Sequence, residues 1–145
     1  MDVQRAAGLS GRLRDGGLRA TAPRVEILAA LEDLGGHRSA EEIHAQLAAR
    51  GSRVPRSSVY NVLTSLADAG LALRADAGPG AVLYEAGGRW HHHFVCRVCG
   101  RVFDVECVTG EKPCLTPGSE LGVVDEAQVI FRGTCTECLR ASSVV

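Results

Sequence analysis

No apolar run in this 145-residue chain approaches the ~20 residues that a membrane-spanning helix needs, which excludes a helical membrane protein. Met1 to Gly17 is charged rather than signal-like, so no secretory leader is expected. The chain is therefore expected to stay in the cytoplasm without a membrane partner. Lysine is nearly absent: fifteen of the sixteen basic residues are Arg, and Lys112 stands alone. That bias suits phosphate and guanine recognition, which use the planar guanidinium fork. Aromatics make up only 4%, and neither internal repeats nor low-complexity tracts occur. A strong net charge is lacking as well; at −1 the whole molecule is no polybasic nucleic-acid binder. Cysteine is absent from residues 1–95, and all six cysteines follow. In a reducing compartment such clustering favours metal ligation over disulfides.

What is present is a folded composition, 46% hydrophobic and 23% charged. The length fits one ordinary domain or two small ones, and two small ones would have thin cores that call for a metal or a dimer interface. Residues 1–74 carry ten Arg against eight acids, +2, whereas 75–145 carry six bases against nine acids, −3. The sign of that asymmetry fits a DNA-facing front half and a cation-binding back half.

The pattern predicts four helices and then strands. Val3 to Leu13 reads as a first helix ending at Gly16-Gly17. Pro23 falls in the first turn of a second, where its missing N–H does no harm. Ile27, Leu28, Leu31 and Leu34 give that helix one apolar face before Gly35-Gly36. Ser39 and Glu42 form a capping box for a third helix burying Ile43 and Leu47. A fourth begins near Pro55, with Val59, Val62, Leu63 and Leu66 as its buried stripe. Arg56, Ser57, Tyr60, Asn61 and Thr64 fall on its other side. Leu71 to Arg74 and Val82 to Glu85 read as two strands around the turn Gly78-Pro79-Gly80. Three packed helices and a hairpin make a winged helix, with the fourth helix placed to read DNA. The domains are expected at 1–86 and, after a Gly87-Gly88 break, 89–145. In the second, His93 to Cys96, Arg101 to Val105 and Val123 to Phe131 are strand-like, giving an α+β fold overall. Val108 to Gly122 carries no readable pattern.

Cys96-x-x-Cys99-Gly and Cys135-x-x-Cys138 are the strongest local signal. Two such knuckles supply four soft ligands in a tetrahedron, the set of a closed structural zinc site. His91-His92-His93 precedes the first knuckle. In an extended segment His91 and His93 share a face while His92 points away, and Asp104 on the next strand can add an oxygen. That donor set suits Fe(II), Mn(II), Zn(II) or Ni(II); a solvated His-rich turn is the plainer alternative. Cys107 and Cys114 remain, either as redox-active thiols or second-metal ligands, or as two small reduced side chains. The deaminase signature and the H-E-x-x-H zinc-hydrolase pattern are both missing.

Taken together, several motifs resemble the ferric uptake regulator family over residues 9–138. They are Leu18-Arg19-Ala20-Thr21-Ala22-Pro23-Arg24, Ser58-Val59-Tyr60-Asn61-Val62-Leu63, Leu66-x-x-x-Gly70-Leu71, His91-His92-His93-Phe94-Val95-Cys96-Arg97-Val98-Cys99-Gly100 and Gly133-Thr134-Cys135-Thr136-Glu137-Cys138. The resemblance implies a homodimeric repressor with a C-terminal dimerisation domain, binding an inverted-repeat operator in double-stranded DNA when metal-loaded. It implies structural zinc on Cys96, Cys99, Cys135 and Cys138, and a regulatory site of His37, Glu85, His91, His93 and Asp104. One ion bonded to residues of both halves would fix their relative angle. Read alone, His37 is an ordinary loop histidine. Arg19 and Arg24 would hold phosphates, and Arg56, Ser57, Tyr60 and Asn61 would face the bases.

Asp104, Glu106-Cys107, Pro113-Cys114-Leu115 and Val124-Asp125-Glu126-Ala127 resemble the peroxide-sensing, catalase-associated actinobacterial branch, with Fe(II) or Mn(II) as regulatory metal. Two features depart from the family. Glu126-Ala127 stands where an extra histidine is usual, and the Pro- and Gly-rich stretch 108–122 replaces a long helix. The alternatives are a homeostatic regulator of iron, zinc or nickel uptake, a thiol redox protein using Cys107 and Cys114, and a nucleic-acid module without sensing. The redox-enzyme reading lacks a C-x-x-C at a helix start.

Overall fold

The computed structural model describes residues 1–75, 80–87, 91–111, 113–125 and 127–143. The expected Gly78-Pro79 turn, the second glycine of the Gly87-Gly88 break and Glu126 lie outside them. The chain forms two compact units, Met1–Gly88 and Arg89–Val145.

The first unit opens with helix α1 (Val3–Asp15), started by the Asp2 carboxylate, which accepts the Arg5 N–H at 2.8 Å. Leu9 and Leu13 face inward, while Arg5 pairs with Asp33 at 2.6 Å and Arg12 pairs with Glu32. Both acids sit on α2 (Ala22–Leu34). Arg5, and then Arg50, hold the Asp33 carboxyl below its ordinary value. Helix α2 departs from the single apolar face expected. Val25 and every residue from Ile27 to Leu31 are buried, because α1 packs on one side and α3 and α4 on others. Ala29 and Ala30 leave room for that close approach.

A two-residue strand β1 (Arg38–Ser39) precedes α3 (Ala40–Ala49). The capping box is present: Glu42 N–H donates to Ser39 Oγ at 3.2 Å, and Ser39 N–H to the Glu42 carboxylate at 3.4 Å. Helix α4 (Arg56–Asp68) buries Val59, Leu63 and Leu66 and leaves Val62 half-buried. It ends in a Schellman cap, with Gly70 N–H on Ala67 O at 3.1 Å and Leu71 N–H on Leu66 O at 2.9 Å. Gly70 takes φ 74°, a conformation that side chains resist. Because the cap consumes the Leu71 N–H, strand β2 (Ala72–Ala75) starts one residue later than expected. It pairs antiparallel with β3 (Leu83–Ala86), and β1 adds to the far side of β3, for the order β1-β3-β2.

The second unit is a three-stranded sheet with β4 (His91–Cys96) between β5 (Val102–Glu106) and β6 (Ile130–Gly133). Strand β5 is antiparallel to β4, whereas β6 is parallel to it. Against the expected strand over Val123 to Phe131, regular pairing begins only at Ile130. Val123 is 93% exposed and covers no sheet face, while Val124 and Val129 are half-buried without joining the ladder. A closing helix, α5 (Thr136–Ser143), has no counterpart in the expected elements. Among the described residues no helix is long and apolar enough to cross a membrane.

Candidate functional site

The parallel pairing of β4 and β6 explains how two distant cysteine pairs meet. Their register sets Cys96 opposite Gly133, so both strands end at the same edge. The chain then turns at Cys96–Gly100, where Gly100 adopts φ 76° and donates its N–H to Cys96 O at 2.9 Å. At the other strand end Cys135 precedes α5, whose first turns carry Cys138. The sulfurs lie 3.8 Å apart for Cys96 and Cys138 and 3.9 Å for Cys99 and Cys135. A tetrahedron with ~2.3 Å zinc–sulfur bonds has edges of about 3.8 Å, so the four sulfurs fit zinc.

The surroundings favour the thiolate at Cys96 and Cys99. Backbone N–H groups of Cys99 and Cys135 point at Cys96 Sγ from 3.5 and 3.3 Å and bring its thiol down to about 6. Arg101 Nε lies 3.3 Å from Cys99 Sγ and lowers that thiol, while Nη2 of the same residue pairs with Glu137. Cys138 is pushed up to about 12, chiefly by Cys135. Arg101 thus acts as an outer partner of the cluster. Sequence reading missed it, although its position two residues after Cys99 was visible.

On β4 the expected alternation holds. His91 Nε2 and His93 Nε2 approach the same Asp104 oxygen, at 3.0 and 4.0 Å, and their rings stand 4.8 Å apart. Asp104 is directly opposite His93 in the ladder. His93 is fully buried, and the Gln128 side-chain amide sits 3.2 Å from its Nδ1, a support that no sequence pattern announced. Two imidazoles and a carboxylate on rigid strands form a donor set for a first-row divalent ion. In the first unit His37 Nε2 lies 3.4 Å from Glu85 Oε2 on β3. His92 faces the opposite side of the sheet, against Cys114 and Val129.

On α4 the residues Arg56, Ser57, Tyr60 and Asn61 are exposed, as the helical spacing predicts. Glu41 on α3, overlooked in the sequence, ties two of them: Tyr60 Oη donates to it at 2.9 Å and Arg56 pairs with it at 3.1 Å. Arg24 donates to the Arg19 carbonyl at 3.0 Å, so these two basic residues are neighbours at the start of α2.

An exposed polar helix face and a small three-stranded sheet, joined in one chain to cysteine and histidine–carboxylate clusters, point to the class of metal-linked transcriptional regulators. The family model for the ferric uptake regulator family matches residues 15–113. The chain is 40% identical over 129 residues to the transcriptional regulator FurA of Mycobacterium tuberculosis, covering 88% of this chain and 87% of that one. It is 35% identical over 125 residues to the zinc uptake regulation protein of the same organism, covering 84% and 95%. Among solved structures, the ferric uptake regulator of Pseudomonas aeruginosa with manganese superposes with a TM-score of 0.70 at 30% identity, over 88% of this chain and 98% of that one. This chain belongs to the ferric uptake regulator family, whose members are transcriptional regulators rather than enzymes.

Proposed function

We propose that the chain is a cytoplasmic, homodimeric repressor that binds an inverted-repeat DNA operator when loaded with Fe(II) or Mn(II), and that peroxide relieves repression of catalase-type genes. The convergence of His91 and His93 on Asp104 supports the metal dependence. The regulatory ligands are those the resemblance implies, His37, Glu85, His91, His93 and Asp104, and zinc on the four cysteines is structural. Metal loading and operator affinity are then coupled, and each raises the other by the same factor, on the order of 5–150-fold.

DNA reading falls to the exposed face of α4. Tyr60 can set its ring against a thymine methyl, while Arg56 and Asn61 reach purine edges. Tyr60→Ala is expected to relax base preference at one position per half-site by roughly 1–3 kcal/mol, and Arg24→Ala to weaken all sequences alike. Titration of operator variants and random DNA at fixed salt measures both. Equal losses on operator and random DNA for Tyr60→Ala would remove Tyr60 from base reading.

Peroxide sensing is tested by comparing metals. Fe(II) held by these ligands would supply redox chemistry toward peroxide next to the imidazoles of His37 and His91, whereas Mn(II), harder to oxidise, would not. Iron-loaded protein treated with peroxide is expected to gain oxygen on His37 or His91 and leave the operator, and manganese-loaded protein to do neither. Histidines unmodified in both samples, with operator affinity set by metal alone, would mean a homeostatic regulator of iron, zinc or nickel uptake instead.

A further inference from the structure

The third side-chain cluster of the second unit is used by neither metal site. One ring nitrogen of His92 and the sulfurs of Cys107 and Cys114 all lie within 4.8 Å of one another, with His92 buried and both cysteines half-buried. Cys114 Sγ is 3.2 Å from His92 Nε2, and Cys107 Sγ is 3.3 Å from the Thr109 hydroxyl. Three such groups are a metal site on paper, and the tautomer of His92 argues otherwise. Its Nδ1 receives the Val129 backbone N–H at 2.9 Å, and a backbone N–H can only donate. The neutral ring therefore carries its proton on Nε2, the atom that faces the sulfurs. That proton blocks coordination and serves as a hydrogen-bond donor to sulfur.

From this geometry we infer that Cys107 and Cys114 form a hydroperoxide-reactive dithiol, oriented by His92, that responds to oxidant whichever ion fills the regulatory site. The two thiols are unequal in the way such a pair requires. The Thr109 hydroxyl first, then the Gly110 N–H and His92, bring Cys107 down to about 6, against the opposing effect of burial. Burial and the neighbouring Cys107 push Cys114 up. Cys107 is the thiolate that attacks. Its sulfur bonds to one peroxide oxygen, the O–O bond breaks, and the departing hydroxide takes a proton from solvent to become water. Cys114 then attacks the sulfenic sulfur: the S–S bond forms, the S–O bond breaks, and the hydroxide leaves with the Cys114 proton as a second water. The two sulfurs lose two electrons, and one hydrogen peroxide becomes two waters. The segment between them contains Gly110 at φ 70° and no regular helix or strand among its described residues, so closure to the ~2 Å bond length need not break the sheet.

The test uses the full chain carrying zinc and Mn(II), so that no iron chemistry competes. Lys112 precedes Pro113, which blocks trypsin, so both cysteines fall on one tryptic peptide, Val102 to Arg132, separate from all four zinc-site cysteines. After a peroxide pulse this peptide is expected to lose two hydrogens. Cys114→Ser should instead trap a dimedone adduct on Cys107, and Cys107→Ser should show neither product. Before oxidation, iodoacetamide should modify Cys107 about tenfold faster than Cys114 at neutral pH. Equal alkylation rates, or oxidation of the zinc-site cysteines before this peptide, would overturn the inference. So would an additional metal ion held by the wild type and lost from both serine variants, which would make the cluster a metal centre. These readouts fall on cysteine peptides, so they stay distinct from the histidine oxidation that tests the proposed function.

Discussion

Cys96→Ser or Cys138→Ser is expected to unfold the second unit and abolish dimers, while the helices of the first unit persist. Cys96 is fully buried, its sulfur accepts two backbone N–H bonds, and it ends the central strand. The three strands of this unit are four to six residues long, and Phe103 and Phe131 are 38% and 48% exposed. So small an apolar interior cannot hold the sheet by burial alone. Thiolate zinc sites in small domains contribute on the order of 10 kcal/mol, which is the stabilisation the variants forfeit. Elemental analysis of wild type should find one tight zinc per chain, and sedimentation of the variants should find monomers. A zinc-free preparation that remains a folded dimer would refute the assignment.

Leu63→Ala should destabilise the first unit by about 2–5 kcal/mol, read as a shift in the denaturant midpoint of its helical signal. Leu63 is completely buried within the core cluster of the first unit, and shortening it leaves a cavity in a close-packed interior. Tyr60, three residues earlier and 45% exposed, is the internal control. Tyr60→Ala loses one exposed bond to Glu41 and should change stability by no more than about 0.5 kcal/mol. A similar loss for both would mean that the two faces of α4 have been assigned wrongly.

These two faces were legible in the sequence because a helix repeats every 3.6 residues and Val59, Leu63 and Leu66 keep that spacing. The Ser39–Glu42 box was legible for the same reason: its partners are three residues apart. Both cysteine pairs could be read from spacing, whereas His37 and Glu85 are single residues with no local pattern and came only from the resemblance. What escaped depends on distant chain. β1 exists because Arg38 and Ser39 meet β3 some 45 residues later. Whether β6 begins at Val123 or Ile130 is decided by where β4 offers hydrogen bonds, and no property of the segment states it. Helix α5 runs for only eight residues, little more than two turns, too few for a helical repeat to declare itself. Glu41 and Gln128 matter through what they touch, which composition does not encode.

The parallel pairing of β4 with β6 also sets a timetable for folding. The β4–β5 hairpin closes over a five-residue connection, 97–101, and helix contacts in the first unit are mostly between neighbours in sequence. His93 meets Ile130 only after 36 intervening residues, 94–129, have been looped out, with no helix among their described residues to shorten the path. Non-local closure of this kind is slow. Until it happens Cys96 and Cys99 wait as a half-site on a finished hairpin while Cys135 and Cys138 search for them. An ion caught early by the first pair turns that search into capture by a fixed anchor, so the second unit should mature at a rate that follows zinc supply.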